Sequence, residues 1–251
     1  MALTDELNTA GTWLFRRRSY LPLPLFAILM LGLRDFAYPD GSHALDVRWE
    51  MLCLGVGLLG LAIRCAAVGF VPHGTSGRNT AEGQVALSLN TSGLYSLVRH
   101  PLYLGNFFLW LGPSLFPRKW WIPAIVSLTF ALLYERIMFA EEAFLRRSFG
   151  QQFERWAART PSVWPFAAGW RNRWVPPSLP FSFRTVLRRE YSALFGLIAT
   201  LTALEIASDY FASGRLYLDT VWLRISLGAG AAYLILRFLK RHTRILHVPG
   251  R

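Results

Sequence analysis

Trp49-Glu50-Met51-Leu52-Cys53-Leu54-Gly55-Val56-Gly57-Leu58-Leu59-Gly60-Leu61-Ala62-Ile63-Arg64-Cys65-Ala66-Ala67-Val68-Gly69-Phe70-Val71 is an apolar run that contains Arg64. A bilayer core about 30 Å thick demands close to 20 such residues of a crossing helix. Working outward, further apolar runs occupy 20–33, 101–116, 120–140, 191–211 and 221–239. The chain therefore reads as an all-α, multi-pass integral membrane protein of about six transmembrane helices. Its 251 residues are 53% hydrophobic and only 17% charged, and no hydrophilic stretch is long enough for a separate globular domain. Arg16, Arg17 and Arg18 precede the first run, but no small-residue cleavage site follows it, so the run reads as a retained helix.

The net charge of +12 would suggest nucleic acid in a soluble protein. Here the basic residues flank apolar spans, so no nucleic-acid partner is expected. With 1–19, 72–100, 141–189 and 237–251 on one side, 19 of the 27 Lys and Arg fall there. The positive-inside bias then puts both termini in the cytoplasm. Arg118 and Lys119, in the hairpin between the third and fourth runs, sit against that bias. Of the 27 basic residues 25 are arginine, which points to a GC-rich bacterial source and hence an inner membrane. Cys53 and Cys65 share one run and read as small core residues, and no metal ligand set is assigned.

Three organisational segments follow: N-terminal membrane helices over 1–71, a core over 72–170, and a linker with two membrane helices over 171–251. Residues 141–166 read as an amphipathic cytoplasmic helix, with Leu145, Phe149, Phe153 and Trp156 at helical spacing.

The chemistry concentrates in Thr91-Ser92-Gly93-Leu94-Tyr95-Ser96-Leu97-Val98-Arg99-His100-Pro101-Leu102-Tyr103-Leu104-Gly105. Proline suits the first helical position and disfavours helix in the residue before it, which places His100 at a helix cap. His100, Tyr103 and Phe107 then share a face. Taken alone, Arg99, His100 and Tyr103 could equally be interface anchors. Glu141 and Glu142 close the fourth run, where carboxylates are disfavoured unless the helix continues or a cation faces them. Glu135 and Arg136 lie one to two turns earlier, at membrane depth, where ionisable groups face a cavity or each other.

These motifs together resemble the isoprenylcysteine carboxyl methyltransferase and phospholipid methyltransferase family of membrane enzymes. The carriers are Arg99-His100-Pro101-Leu102-Tyr103-Leu104-Gly105, then Glu141-Glu142-Ala143-Phe144-Leu145, then Phe149-Gly150 through Pro161, Pro165 and Phe166. The likeness spans roughly 84–166, and the other runs carry no assignable motif. It implies a cytoplasm-facing pocket for S-adenosyl-L-methionine. Gln84, Leu87, Ser88, Leu89, Asn90, Tyr95, His100, Pro101, Leu102, Tyr103, Glu141 and Glu142 are the implied cofactor-binding residues. Arg99, His100 and Arg136 are the implied catalytic group. Arg136 stands one residue from the family's substrate-side arginine position, which Ile137 fills. Phe153 and Trp156 replace tyrosines common in the family.

The implied reaction is methylation of a lipid or isoprenoid acceptor, with surrounding arginines favouring a carboxylate or phosphate oxygen. An amine or thiol acceptor would need a base, which His100 or a glutamate could supply. One rival is an NADPH-dependent sterol-type reductase. Those enzymes tend to have Asn before the Tyr and Asp after the Gly, where this chain has Leu102 and Asn106. The other is a non-catalytic membrane assembly factor of the same fold.

Overall fold

Prolines, glycines and side-chain caps set where each helix of this chain begins and ends. The computed structural model describes residues 2–72, 74–75, 86–165 and 170–251, and all regular structure among them is helical. In chain order these are α1 (Leu3–Arg17), α2 (Pro22–Gly32), α3 (His43–Gly69), α4 (Leu94–Leu97), α5 (Pro101–Leu115), α6 (Trp121–Phe149), α7 (Gln151–Ala157), α8 (Phe183–Ser213) and α9 (Thr220–His242). Pro22 and Pro101 open their helices, where a missing N–H costs nothing. The side chains of Ser42, Ser182 and Asp219 cap α3, α8 and α9 by accepting backbone N–H groups. Gly150 (φ 49°) stops α6 and Gly214 (φ 72°) stops α8 in conformations that favour glycine.

Helices α3, α6, α8 and α9 are long and apolar enough to cross a membrane, so the chain is a multi-pass all-α membrane protein. Two of the six expected crossings are shorter than a bilayer demands. The 11 residues of α2 and 15 of α5 rise roughly 16 and 22 Å at about 1.5 Å per residue. The amphipathic stretch expected over 141–166 is divided between two helices. Helix α6 continues through Glu141 and Glu142 to Phe149, so both carboxylates lie inside a helix rather than at its disfavoured end. Only α7 follows, with Phe153 fully buried.

The N-terminal segment is not a plain tail. In α1, Leu14 and Phe15 are buried against Tyr134 and Ile137 of α6. Gly11 lies so close to α6 that a Cβ there would strike the Arg136 carbonyl and the Ala140 side chain.

Helices α3 and α5 meet along a glycine seam. A Cβ on Gly105 would lie 2.7 Å from the Gly60 carbonyl oxygen, and one on Gly112 2.6 Å from that of Cys53. Small residues let backbones approach closely, which is how membrane helices gain packing without a hydrophobic drive between them. Beyond the seam, Leu33, Cys53, Phe116, Ile122, Leu201, Leu204 and Trp222 form the main buried cluster. Helix α9 packs on α8 through the stacked rings of Phe195 and Tyr233 at 4.5 Å, and leaves Leu227, Leu234, Ile235 and Phe238 exposed. In the α5–α6 hairpin, Arg118 is paired with buried Asp46 and donates to the Ala37 carbonyl at 2.8 Å, so its charge is compensated locally.

Candidate active site

His100 is the residue before a helix-opening proline, and its backbone (φ −124°, ψ 60°) is non-helical as that position requires. Its N–H donates to the Ser162 carbonyl at 3.0 Å and that of Arg99 to Pro161 at 2.9 Å. The box at 99–105 is thereby laced to the proline-bearing close of the motif. The Arg99 side chain reinforces this: Nε donates to Glu142 Oε1 at 2.8 Å, and Nη1 to the carbonyls of Ala157 and Thr160, each at 2.9 Å. His100 is 5% exposed, with Nε2 2.9 Å from the same Glu142 oxygen. An ionised carboxylate can only accept, so the ring carries its proton on Nε2 in that contact.

The opposite ring nitrogen, Nδ1, lies 3.6 Å from Glu141 Oε2, which also accepts the Tyr103 hydroxyl at 2.7 Å. The rings of His100 and Tyr103 stack at 5.4 Å, one helical turn apart on α5. Adjacent glutamates on α6 thus do different work. Glu142 fixes Arg99 and His100 from behind, while Glu141 faces the open space beside Tyr103.

That space is a cavity of about 660 Å³. Ser88, Leu89, Asn90, Tyr95, Arg99, His100, Leu102, Tyr103 and Glu141 all line it, so residues from three separate stretches meet there. Leu145 is half-buried on the same wall rather than in a packed face. Other expected residues stand elsewhere. Leu87 is 70% exposed, and Pro101 is buried behind the lining. Glu142 supports the wall without entering it. Arg136 is off the cavity, its guanidinium donating to the Leu132 carbonyl of its own helix at 2.7 Å. Gln84 lies outside the described residues.

Helices that carried no motif complete the site. Arg64 of α3 forms a bidentate pair with Glu190 of α8, at 2.7 and 3.0 Å, and donates to Asn106 Oδ1 at 2.5 Å. Asn106 in turn donates to the Tyr134 hydroxyl at 3.1 Å. Phe15 and Arg18 come from the N-terminal segment, and Ser192, Ala193 and Gly196 from α8. The charged Arg64 inside an apolar run was the one sequence signal for this wall. Its partner is 126 positions away, beyond any spacing rule.

A membrane-embedded helical core with a lined cavity at the ends of its helices defines the class of protein. The resemblance read from the motifs is met by comparison: residues 51–152 match the model of the phospholipid methyltransferase family, a stretch that contains both the Arg-His-Pro box and the Glu-Glu pair. Among curated proteins, the chain is similar to the nickel-cobalt-cadmium resistance protein NccN of Alcaligenes xylosoxydans xylosoxydans, 35% identical over 126 residues, which is 50% of this chain and 56% of that one. It is 34% identical to the cobalt-zinc-cadmium resistance protein CzcN of Cupriavidus metallidurans, over 50% of this chain and 55% of that one. It is 33% identical to the protein-S-isoprenylcysteine O-methyltransferase of Schizosaccharomyces pombe, over 45% of this chain and 46% of that one. The chain thus spans about half the length of the curated relatives it matches. No solved structure matches it.

Proposed function

We propose that this chain is an S-adenosyl-L-methionine-dependent methyltransferase acting on a membrane-embedded lipid or isoprenoid acceptor at the cytoplasmic leaflet. The observation that carries the reading is the convergence of the 88–90 segment, the His100–Tyr103 turn and Glu141 on one cavity. Its volume of about 660 Å³ is within the range of small-molecule sites, roughly 300–1,000 Å³.

The lining fits the cofactor's chemistry. Glu141 offers a carboxylate to a cationic group, Ser88 and Asn90 offer polar contacts, and Leu89, Leu102 and Tyr95 offer an apolar wall. When bound, S-adenosyl-L-methionine supplies an electrophilic methyl group. The protein's part is placement, since holding reactants in line converts a bimolecular step into a unimolecular one. Glu142 and Arg99 keep the His100 ring fixed, and Tyr103 holds the Glu141 carboxylate through its hydroxyl. Arg18 and Arg189 on the lining favour an anionic acceptor oxygen, a carboxylate or phosphate. Arg64, matched by Glu190, lines the cavity, and Arg136 does not.

Lipids from cells with and without the gene, compared by mass spectrometry, test this reading. A species heavier by about 14 daltons, a CH₃ in place of a hydrogen, is expected only with the intact gene. Two relatives are named for metal resistance rather than for a methyltransferase activity, which keeps a non-catalytic membrane factor as the alternative reading. Identical lipid profiles, with no S-adenosyl ligand bound by the purified protein, would overturn the methyltransferase reading.

A further inference from the structure

Far from the cavity, at the other ends of α3 and α8, four carboxylates are buried together. Asp46 and Glu50 stand four apart near the start of α3, and Glu205 and Asp209 four apart near the end of α8. They are 3%, 1%, 1% and 2% exposed. Asp46, Glu50 and Glu205 each present an oxygen, and these three atoms lie within 4.8 Å of one another.

Some of the oxygens in this group have donors. Arg118 pairs with Asp46, Trp222 Nε1 donates to Glu50 Oε2 at 2.8 Å, and the Tyr38 hydroxyl donates to Asp209 Oδ1 at 2.5 Å. Glu50 Oε1, Glu205 Oε2 and Asp209 Oδ2 are buried and have no hydrogen-bond partner. Ser208 does not help, because its hydroxyl donates to the Glu205 backbone carbonyl at 2.8 Å. His43 is turned to Asp219 at 3.7 Å, with its side chain 44% exposed. One guanidinium therefore faces four carboxylates.

A buried, unpaired carboxylate must be protonated or meet a cation. A single proton shared by Glu50 and Glu205 would serve those two and leave Asp209 Oδ2 bare. A divalent cation held by Asp46, Glu50 and Glu205 cancels two of the three negative charges left after Arg118, where one proton cancels one. We propose that Asp46, Glu50 and Glu205 form a binding site for a hard divalent cation, joining α3 to α8 at the end of the bundle opposite the cavity. An all-carboxylate donor set suits magnesium, calcium and manganese. Burial disfavours magnesium, which gives up its water reluctantly, so manganese is the apt probe.

The test uses the full-length protein in detergent, stripped with a chelator and titrated with Mn²⁺ while free ion is followed by electron paramagnetic resonance. No S-adenosyl ligand is added, so the outcome is independent of the methyltransferase reading. Uptake of one Mn²⁺ per chain is expected, with a thermal midpoint that rises on binding. Glu205→Gln, and separately Glu50→Gln, should weaken uptake by at least about tenfold, which corresponds to about 1.4 kcal/mol. Glu154→Gln, on an exposed residue, should not change it. A wild type that takes up neither Mn²⁺ nor Ca²⁺ stoichiometrically would overturn the proposal and leave protons as the neutralising species. So would uptake undiminished in both glutamine variants.

Discussion

Helices α3 and α8 each carry ionisable residues at both ends, and the two ends resolve their charges in opposite ways. At the cavity end, Arg64 of α3 meets Glu190 of α8 in a two-pronged pair, and Arg99 meets Glu142. These four charges have protein partners while about 660 Å³ remains open beside them. At the other end, acids of α3 meet acids of α8, the space is closed, and three oxygens lack partners. The contrast teaches what each end is built to receive. A wall whose own charges are matched can take a large ligand of mixed character. A closed knot of like charge has room only for a proton or an ion.

The largest effect should come from breaking the matched end. Arg64→Ala strands Glu190, which is 4% exposed, and removing one member of a buried pair costs about 3–5 kcal/mol. The full-length variant should therefore lose most of its thermal stability. Replacing both partners by apolar residues, Arg64→Met with Glu190→Leu, should recover much of that loss. If Arg64→Ala alone is as stable as wild type, the pair is not what closes this wall.

How much of this was readable beforehand depends on how far each contact reaches along the chain. The all-helical membrane class follows from the apolar runs, and the His100 cap from a single proline. Glu141 and Tyr103 were legible as partners of one site because their motifs recur as a set, although 38 positions separate them. The Arg64–Glu190 pair was not, because one member sits in an otherwise featureless run and the other lies just ahead of a run with no motif. The docking of α1 on α6 was hidden for a similar reason. A three-arginine segment looks like a charged tail until Gly11, Leu14 and Phe15 are seen to share a buried face. The acid knot did leave a trace, two acidic pairs at i and i+4 inside apolar helices, which helical geometry puts on one face each. Chain order could not show that the two faces oppose.

The smallest effect is expected at Arg136. Its guanidinium bonds within its own helix, off the cavity, so Arg136→Ala should leave methyl transfer within about twofold of wild type. A loss of activity comparable to that of His100→Ala would instead place Arg136 on the acceptor.

The central claim, that the matched end holds an S-adenosyl ligand against Glu141, is tested most directly by calorimetric titration of the full-length protein with S-adenosylhomocysteine, S-adenosyl-L-methionine and NADPH. Wild type should bind both S-adenosyl ligands and not NADPH. Glu141→Gln keeps the shape of the wall and removes the charge. It should weaken S-adenosyl-L-methionine about 10- to 150-fold, the 1.5–3 kcal/mol of a charge-assisted contact, while the thermal midpoint holds. Binding of NADPH with no S-adenosyl ligand would contradict the account and point to a reductase, and an S-adenosyl-L-methionine affinity unchanged in Glu141→Gln would remove this carboxylate from the site.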